Sequence, residues 1–263
     1  MIFQKRKVIV HFHFFKNAGT TIDYILRRNF PKGFFSLDKQ IPSAIIPPED
    51  GIEFIQKNRT LQVLTSHQLL YPLPEHKNLL IYSIFFLRHP IDRIYSAYQF
   101  NRKRNDWPKD SVEKQLSFKD YIIWRIDTNG KGFRDFHVHR LTKKINNFNL
   151  TEKERIDAAK EILQSSDFFG IVERFDDSLT LMRDYLCQDF PKIDYAYTIQ
   201  NRSSKIDSLD ERLVTIREQL GIELYEKLLA INCLDMELYD YALIIFDQRM
   251  NKVTGVQNTG KME

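Results

Sequence analysis

Val8-Ile9-Val10-His11-Phe12-His13-Phe14, followed directly by Phe15-Lys16-Asn17-Ala18-Gly19-Thr20-Thr21, decides the fold. The first half is a continuous, mostly apolar run, the pattern of a strand buried on both faces in a parallel sheet. In the second half a lysine, a glycine and two hydroxyls stand where a helix N-terminus presents backbone N–H groups to an anion. Thr20 to Phe30 then reads as a helix, with Ile22, Ile25, Leu26 and Phe30 on one stripe. Strand, phosphate-sized loop and helix together are the wiring of a nucleotide-phosphate site. The usual ATP or GTP loop is G-x-x-x-x-G-K-[ST], with its lysine after the last glycine. Here Lys16 comes before Gly19, and that order sets this loop apart.

Outward from this unit, strands and helices alternate. Pro31 to Asp50 reads as loop, punctuated by Pro42, Pro47 and Pro48. Leu61 to Thr65 reads as a second strand and Leu79 to Leu87 as a third. Pro90 opens a helix at its first position, where a missing N–H costs nothing. Asn101 to Ser117 is polar and basic and reads as a loop or helix end. Thr151 with Glu154 forms a capping box. Phe168 to Val172 reads as a fourth strand, Asp176 to Leu186 as the helix after it, and Asp207 to Leu220 and Ile222 to Phe246 as C-terminal helices. The pattern is that of an α/β fold: a three-layer, P-loop-like arrangement with a central parallel sheet flanked by helices. We expect one domain over 1–247 and a disordered tail over 248–263.

Composition agrees. The 263 residues are 43% hydrophobic and include twenty Phe, ample for a core. The longest apolar run, Leu79 to Leu87, is too short to span a bilayer, and no signal peptide is read at Met1 to Lys7. Two cysteines, Cys187 and Cys233, read as reduced thiols, which favours a bacterial cytoplasmic location. A net charge of +4 suits anionic small molecules and is too small to argue for nucleic acid.

Two strands end in chemistry. The first ends at Lys16. The third ends in Leu87-Arg88-His89-Pro90, and its following helix carries Ser96. Ligands of open α/β sheets bind outside the carboxyl ends of the strands. The Arg88 fork is suited to a phosphate, and Ser96 lies off the apolar stripe of its helix. Two phosphate sites fit a nucleotide phosphorylated at two separate places.

Phe14 to Thr21 resembles the 5′-phosphosulfate loop of sulfotransferases of the carbohydrate (Golgi-type and bacterial) branch. Phe86-Leu87-Arg88-His89-Pro90-Ile91-Asp92-Arg93-Ile94-Tyr95-Ser96-Ala97-Tyr98 resembles that family's 3′-phosphate motif. Phe168 to Leu179 and Asn232 to Tyr239 are similar to later family segments, so the resemblance spans roughly 8 to 246. It implies 3′-phosphoadenosine 5′-phosphosulfate (PAPS) as donor, without a metal, and a hydroxyl of a glycan or glycolipid as acceptor. It places Lys16, Asn17, Ala18, Gly19, Thr20 and Thr21 at the 5′ end of the donor, and Arg88 and Ser96 on the 3′-phosphate. Lys16 would also donate to the bridging oxygen, where charge grows. Many members carry proline before the lysine, where Phe15 stands here.

The base is assigned to His67, in Thr65-Ser66-His67-Gln68, at the same sheet edge; it resembles the histidine the carbohydrate branch uses. His11 and His13 share a strand face at metal-binding spacing, but with no cysteine or carboxylate nearby in sequence they read as packing. His137-Val138-His139 has the same spacing and no partner set. Glu173 and Arg174 read as a structural ion pair. Trp107 reads either as a sugar-stacking ring or as a loop anchor, and Asn201 to Lys205 resembles a basic loop of the family that can close over the nucleotide. Two rival functions remain: a nucleotide kinase with an unusual phosphate loop, which would need Mg²⁺, and a non-catalytic module binding adenosine bisphosphate or a glycan.

Overall fold

The computed structural model describes residues 5–41, 43–104, 111–128, 130, 132–143, 150–197 and 208–255. Strand β1 (Arg6–Phe12) has its last five residues buried and lies between β3 (Val63–Ser66) and β4 (Leu79–Ile84). A short β2 (Phe34–Ser36) completes the order β2-β3-β1-β4, and every pairing is parallel. The expected third strand breaks at Phe85. Its remainder, β5 (Phe86–Leu87), pairs in parallel with β6 (Gly170–Ile171) as a separate two-stranded sheet. The Phe85 carbonyl accepts from the Gly170 N–H at 2.9 Å, which turns the run toward its new partner. Gly170 is required there, because a Cβ would sit 2.3 Å from the Phe86 ring.

The helices are α1 (Gly19–Asn29), α2 (Pro48–Lys57), α3 (Pro90–Lys103), α4 (Val112–Gln115), α5 (Phe118–Asp127), α6 (Phe136–Leu141), α7 (Glu152–Ser165), α8 (Phe175–Cys187), α9 (Leu209–Leu220), α10 (Ile222–Ala230) and α11 (Cys233–Thr254). The parallel sheet with helices around it is the α/β arrangement the alternation predicts. Its core joins Val8, Val10 and Phe12 of β1 to Ile22 and Ile25 of α1 and to Ala242 and Phe246 of α11. A second apolar cluster packs α3 against α5, α9 and α10 through Ile91, Ile94, Ile122, Ile216 and Leu228. The capping box at Thr151 and Glu154 is formed, and Pro90 opens α3.

Four readings need correction. The stretch read as loop holds β2 and α2; Pro47 and Pro48 begin that helix rather than excluding it. The helix read over Ile222 to Phe246 is two, parted at Ile231 and Asn232. Asn232 turns its side chain to accept from the Asp135 N–H at 3.0 Å and to donate to the Leu228 carbonyl at 3.1 Å. The tail expected from residue 248 is still helical to Thr254; residues 256–263 lie outside the described set. Glu173 and Arg174 do not pair with each other: Arg174 bonds Asp177 and Asp247, and Glu173 accepts from the His89 N–H and the Tyr239 hydroxyl.

Candidate active site

Register builds the site. Phe12 pairs with Ser66 across β1 and β3, and Ser36 pairs with Thr65 across β2 and β3. His13 and His67, each one residue past these strands, are therefore cross-strand neighbours, and Asp38 lies just beyond β2. Their side chains leave the sheet on the same side. The His13 and His67 rings stack at 3.9 Å between centroids and 28° between planes.

Asp38 holds His67 in place. Its Oδ1 accepts from the His67 backbone N–H at 2.8 Å and from the Ser66 hydroxyl at 3.1 Å. The His67 Nδ1–H donates to its Oδ2 at 3.0 Å, which leaves the Nε2 lone pair as the basic atom. Burial would raise the Asp38 carboxyl, but the His67 donors hold it below the usual range. Arg140 of α6 donates to the carbonyls of His67 at 2.7 Å and Leu69 at 2.9 Å, fixing the loop from the other side. His67 itself is half-exposed.

The loop between β1 and α1 is strained into a cradle. Lys16 has φ 65° and Ala18 φ 58°, both left-handed. Helix α1 begins at Gly19 without a side-chain cap, and the Thr21 N–H donates to the Ala18 carbonyl at 2.9 Å. Thr20 is exposed and Thr21 buried. Gly19 must be glycine, because a Cβ would lie 2.1 Å from His13 Cδ2. Phe15, where many sulfotransferases have proline, packs edge-on to Phe100 of α3 at 5.6 Å, and the Lys16 ammonium sits 4.3 Å over that same ring. Burial first, then the nearby Arg88 and Lys103 cations, push the Lys16 ammonium down to about 8. Such a group of cations favours an anion among them.

Arg88 reaches across to this loop, its Nη1 donating to the Lys16 carbonyl at 3.2 Å. Its Nε donates to Asp92 Oδ2 at 2.8 Å, and Arg212 of α9 grips the same carboxylate at 3.0 Å. Lys16 and Arg88 thus meet as the sequence predicts. Ser96, on the same α3, is buried. The Asn17 side chain points inward, its Nδ2 donating to His137 Nε2 at 3.1 Å. The His137 Nδ1–H donates to Asp235 Oδ2 at 3.1 Å. That carboxylate also accepts from the backbone N–H groups of His137 and Val138, capping α6 from the first turn of α11. His137 therefore has the partner set that its sequence neighbours lack. His89 donates its backbone N–H to Glu173, its ring packs edge-on to Tyr239, and burial pushes its imidazole down to about 4.

His11 and His13 also gain a carboxylate. Asp23, on the second turn of α1, accepts from His11 Nδ1 at 2.7 Å and His13 Nδ1 at 2.9 Å. The three side chains gather donor atoms in a way that a metal could use. The separations are those of N–H···O hydrogen bonds, which already account for both Nδ1 atoms. Trp107 and Asn201 to Lys205 lie outside the described residues.

Comparison with known proteins shows the family. Residues 1–242 match the model of the sulfotransferase family. The chain belongs to that family. Its members generally take the sulfuryl group from PAPS. An uncharacterized protein of Archaeoglobus fulgidus is 30% identical over 251 residues, covering 92% of this chain and 98% of the relative. Among the described residues no helix of this chain is long and apolar enough to cross a membrane.

Proposed function

We propose that this chain transfers the sulfuryl group of PAPS to a hydroxyl of a carbohydrate-type acceptor, with His67 as general base. The observation that carries the proposal is the contact chain from base to donor loop. Asp38 orients His67, His67 stacks on His13, and His13 packs on Gly19 at the start of α1. The base is thus one ring away from the cradle.

In this reading the opening N–H groups of α1, with Thr20 and Thr21, hold the 5′-phosphate, while Arg88 and Ser96 select the 3′-phosphate. His67 Nε2 takes the acceptor proton as the acceptor oxygen bonds to sulfur. The bond between sulfur and the bridging oxygen breaks in line, and adenosine 3′,5′-bisphosphate leaves. Lys16 donates to the bridging oxygen as its negative charge grows. Asp38 stabilises the resulting imidazolium, as a carboxylate does behind a catalytic histidine. The glycan class of the acceptor rests on the family resemblance of the motifs.

Calorimetric titration with adenosine 3′,5′-bisphosphate in chelator-treated buffer tests the donor site. Micromolar binding that collapses in Arg88→Ala and Lys16→Ala supports the reading; binding only of ATP with Mg²⁺ sinks it in favour of a kinase. Transfer from radiolabelled PAPS to a panel of glycans tests the base. His67→Ala should lower kcat by roughly a hundredfold or more while leaving nucleotide affinity intact. An unchanged rate in that variant would remove His67 from catalysis, and nucleotide binding without transfer to any acceptor would favour a non-catalytic module.

A further inference from the structure

His13 is the buried side chain the proposed chemistry does not use, although it touches both halves of the site. We propose that His13 is a positioning residue for His67: clamped by Asp23, it is the flat wall against which the base is seated. The inference rests on the reading of His67 as the base.

The wall is fixed on every side. Its Nδ1–H is taken by Asp23 Oδ2, and Asp23 is itself held by His11 through Oδ1. One edge of the ring bears on Gly19, where there is no room for a Cβ. The His11 ring stacks behind it at 5.2 Å. His67 therefore meets a surface that cannot tilt. Stacking sets the plane of the His67 ring, and the bond to Asp38 sets its rotation within that plane. Together the two constraints aim Nε2, which either one alone would leave free to swing. The groups facing His67 are Asp38 from the end of β2, His13 with His11 and Asp23 behind it, and Arg140 from α6.

Charge favours the same role. Burial keeps the His13 imidazole neutral, pushed down to about 4. When His67 gains the acceptor proton, it lies against an uncharged π face rather than a second cation, and a cation over such a face is stabilised. Asp23, pulled well below the usual carboxylate range by the two histidines against the opposing effect of burial, keeps its charge on the far side of the wall.

His13→Asn separates the wall from the clamp. The asparagine amide can keep a donor where Nδ1 stood, but it lacks the ring. Imidazole ¹⁵N correlation spectra of the nucleotide-free full chain should show His67 in a single Nδ1–H tautomer in the wild type. In His13→Asn that signature should broaden into a tautomer mixture, as Nδ1 loses its fixed aim at Asp38. In turnover assays the same variant should lose roughly tenfold to a hundredfold in kcat, with bisphosphate affinity changing far less. An unaltered His67 signature, or equal losses in kcat and nucleotide affinity, would overturn the positioning role. Stoichiometric transition metal in the purified protein, lost in Asp23→Asn, would also overturn it by making His13 a ligand. The spectra need no substrate, so they test the wall even if the donor reading fails in the Lys16→Ala titration.

Discussion

Lys16 offers the sharpest test of the donor loop, because its charge is held in an unfavourable place. Its ammonium is pushed down from its ordinary value to about 8, first by burial and then by Arg88 and Lys103. An anion seated in the cradle reverses that balance and favours the charged form. The sign follows from linkage: a ligand that prefers the protonated state binds fully below the unliganded value and weakens above it. Affinity for adenosine 3′,5′-bisphosphate should therefore be flat from about pH 7 to about pH 8, since phosphate is fully ionised above its second pKa near 6. Above about pH 8 it should fall close to tenfold per pH unit, or about 1.4 kcal/mol, until the liganded lysine itself titrates. Calorimetry across about pH 7 to about pH 9.5 reads this directly, with proton uptake visible as a dependence on buffer ionisation enthalpy. Lys16→Met keeps the length of the side chain and removes the charge. It should bind more weakly at neutral pH and show a flat profile. A wild-type profile without slope, or the same slope in Lys16→Met, would refute the assignment of this lysine to the phosphate.

Three further outcomes follow from named contacts. Gly19→Ala places a Cβ 2.1 Å from His13 and should cost about 1 to 3 kcal/mol of stability by overpacking, with turnover falling further than melting alone explains; a fully active, equally stable variant would refute the contact. Asp235→Ala strips one buried carboxylate from His137 Nδ1 and from two backbone donors, and denaturant titration should show a loss of about 3 to 5 kcal/mol. Thr151→Ala removes the capping box of α7, which the proposed chemistry does not use, so thermal melting should report a loss of about 1 kcal/mol with nucleotide affinity unchanged.

What was legible in the sequence was local. The β1 run, the lysine loop, Pro90 opening α3 and the Thr151 box each declare themselves within a few residues, and Arg88 meets Lys16 through the Lys16 carbonyl. The breaks were hidden by continuing patterns. Leu79 to Leu87 stays apolar through Phe85, although the chain changes sheets there, and Asn232 falls in phase with the apolar side of one long helix. Only contacts far away in sequence, to Gly170 and to Asp135, show why each run stops.

The carboxylates behind the histidines were hidden for a different reason. Asp38 reaches His67 across 29 residues, Asp23 reaches His13 across 10, and Asp235 reaches His137 across 98. Read locally, each is an ordinary loop or helix aspartate. A histidine at a strand end announces itself by type, but its partner is set by strand register and helix docking, and those are properties of the folded chain. The reading of His137 as unpartnered failed on this point; His11 and His13 are buried and stacked, as packing residues are, but the reading missed Asp23. All four rings, His67 included, spend Nδ1 on a carboxylate, and of these four His67 is the one that stands half-exposed. His137 spends Nε2 on Asn17, and so ties α11 to the loop that carries Lys16. Similar imidazole–carboxylate pairs thus serve different ends, and exposure of the ring separates the candidate base from the buried supports around it.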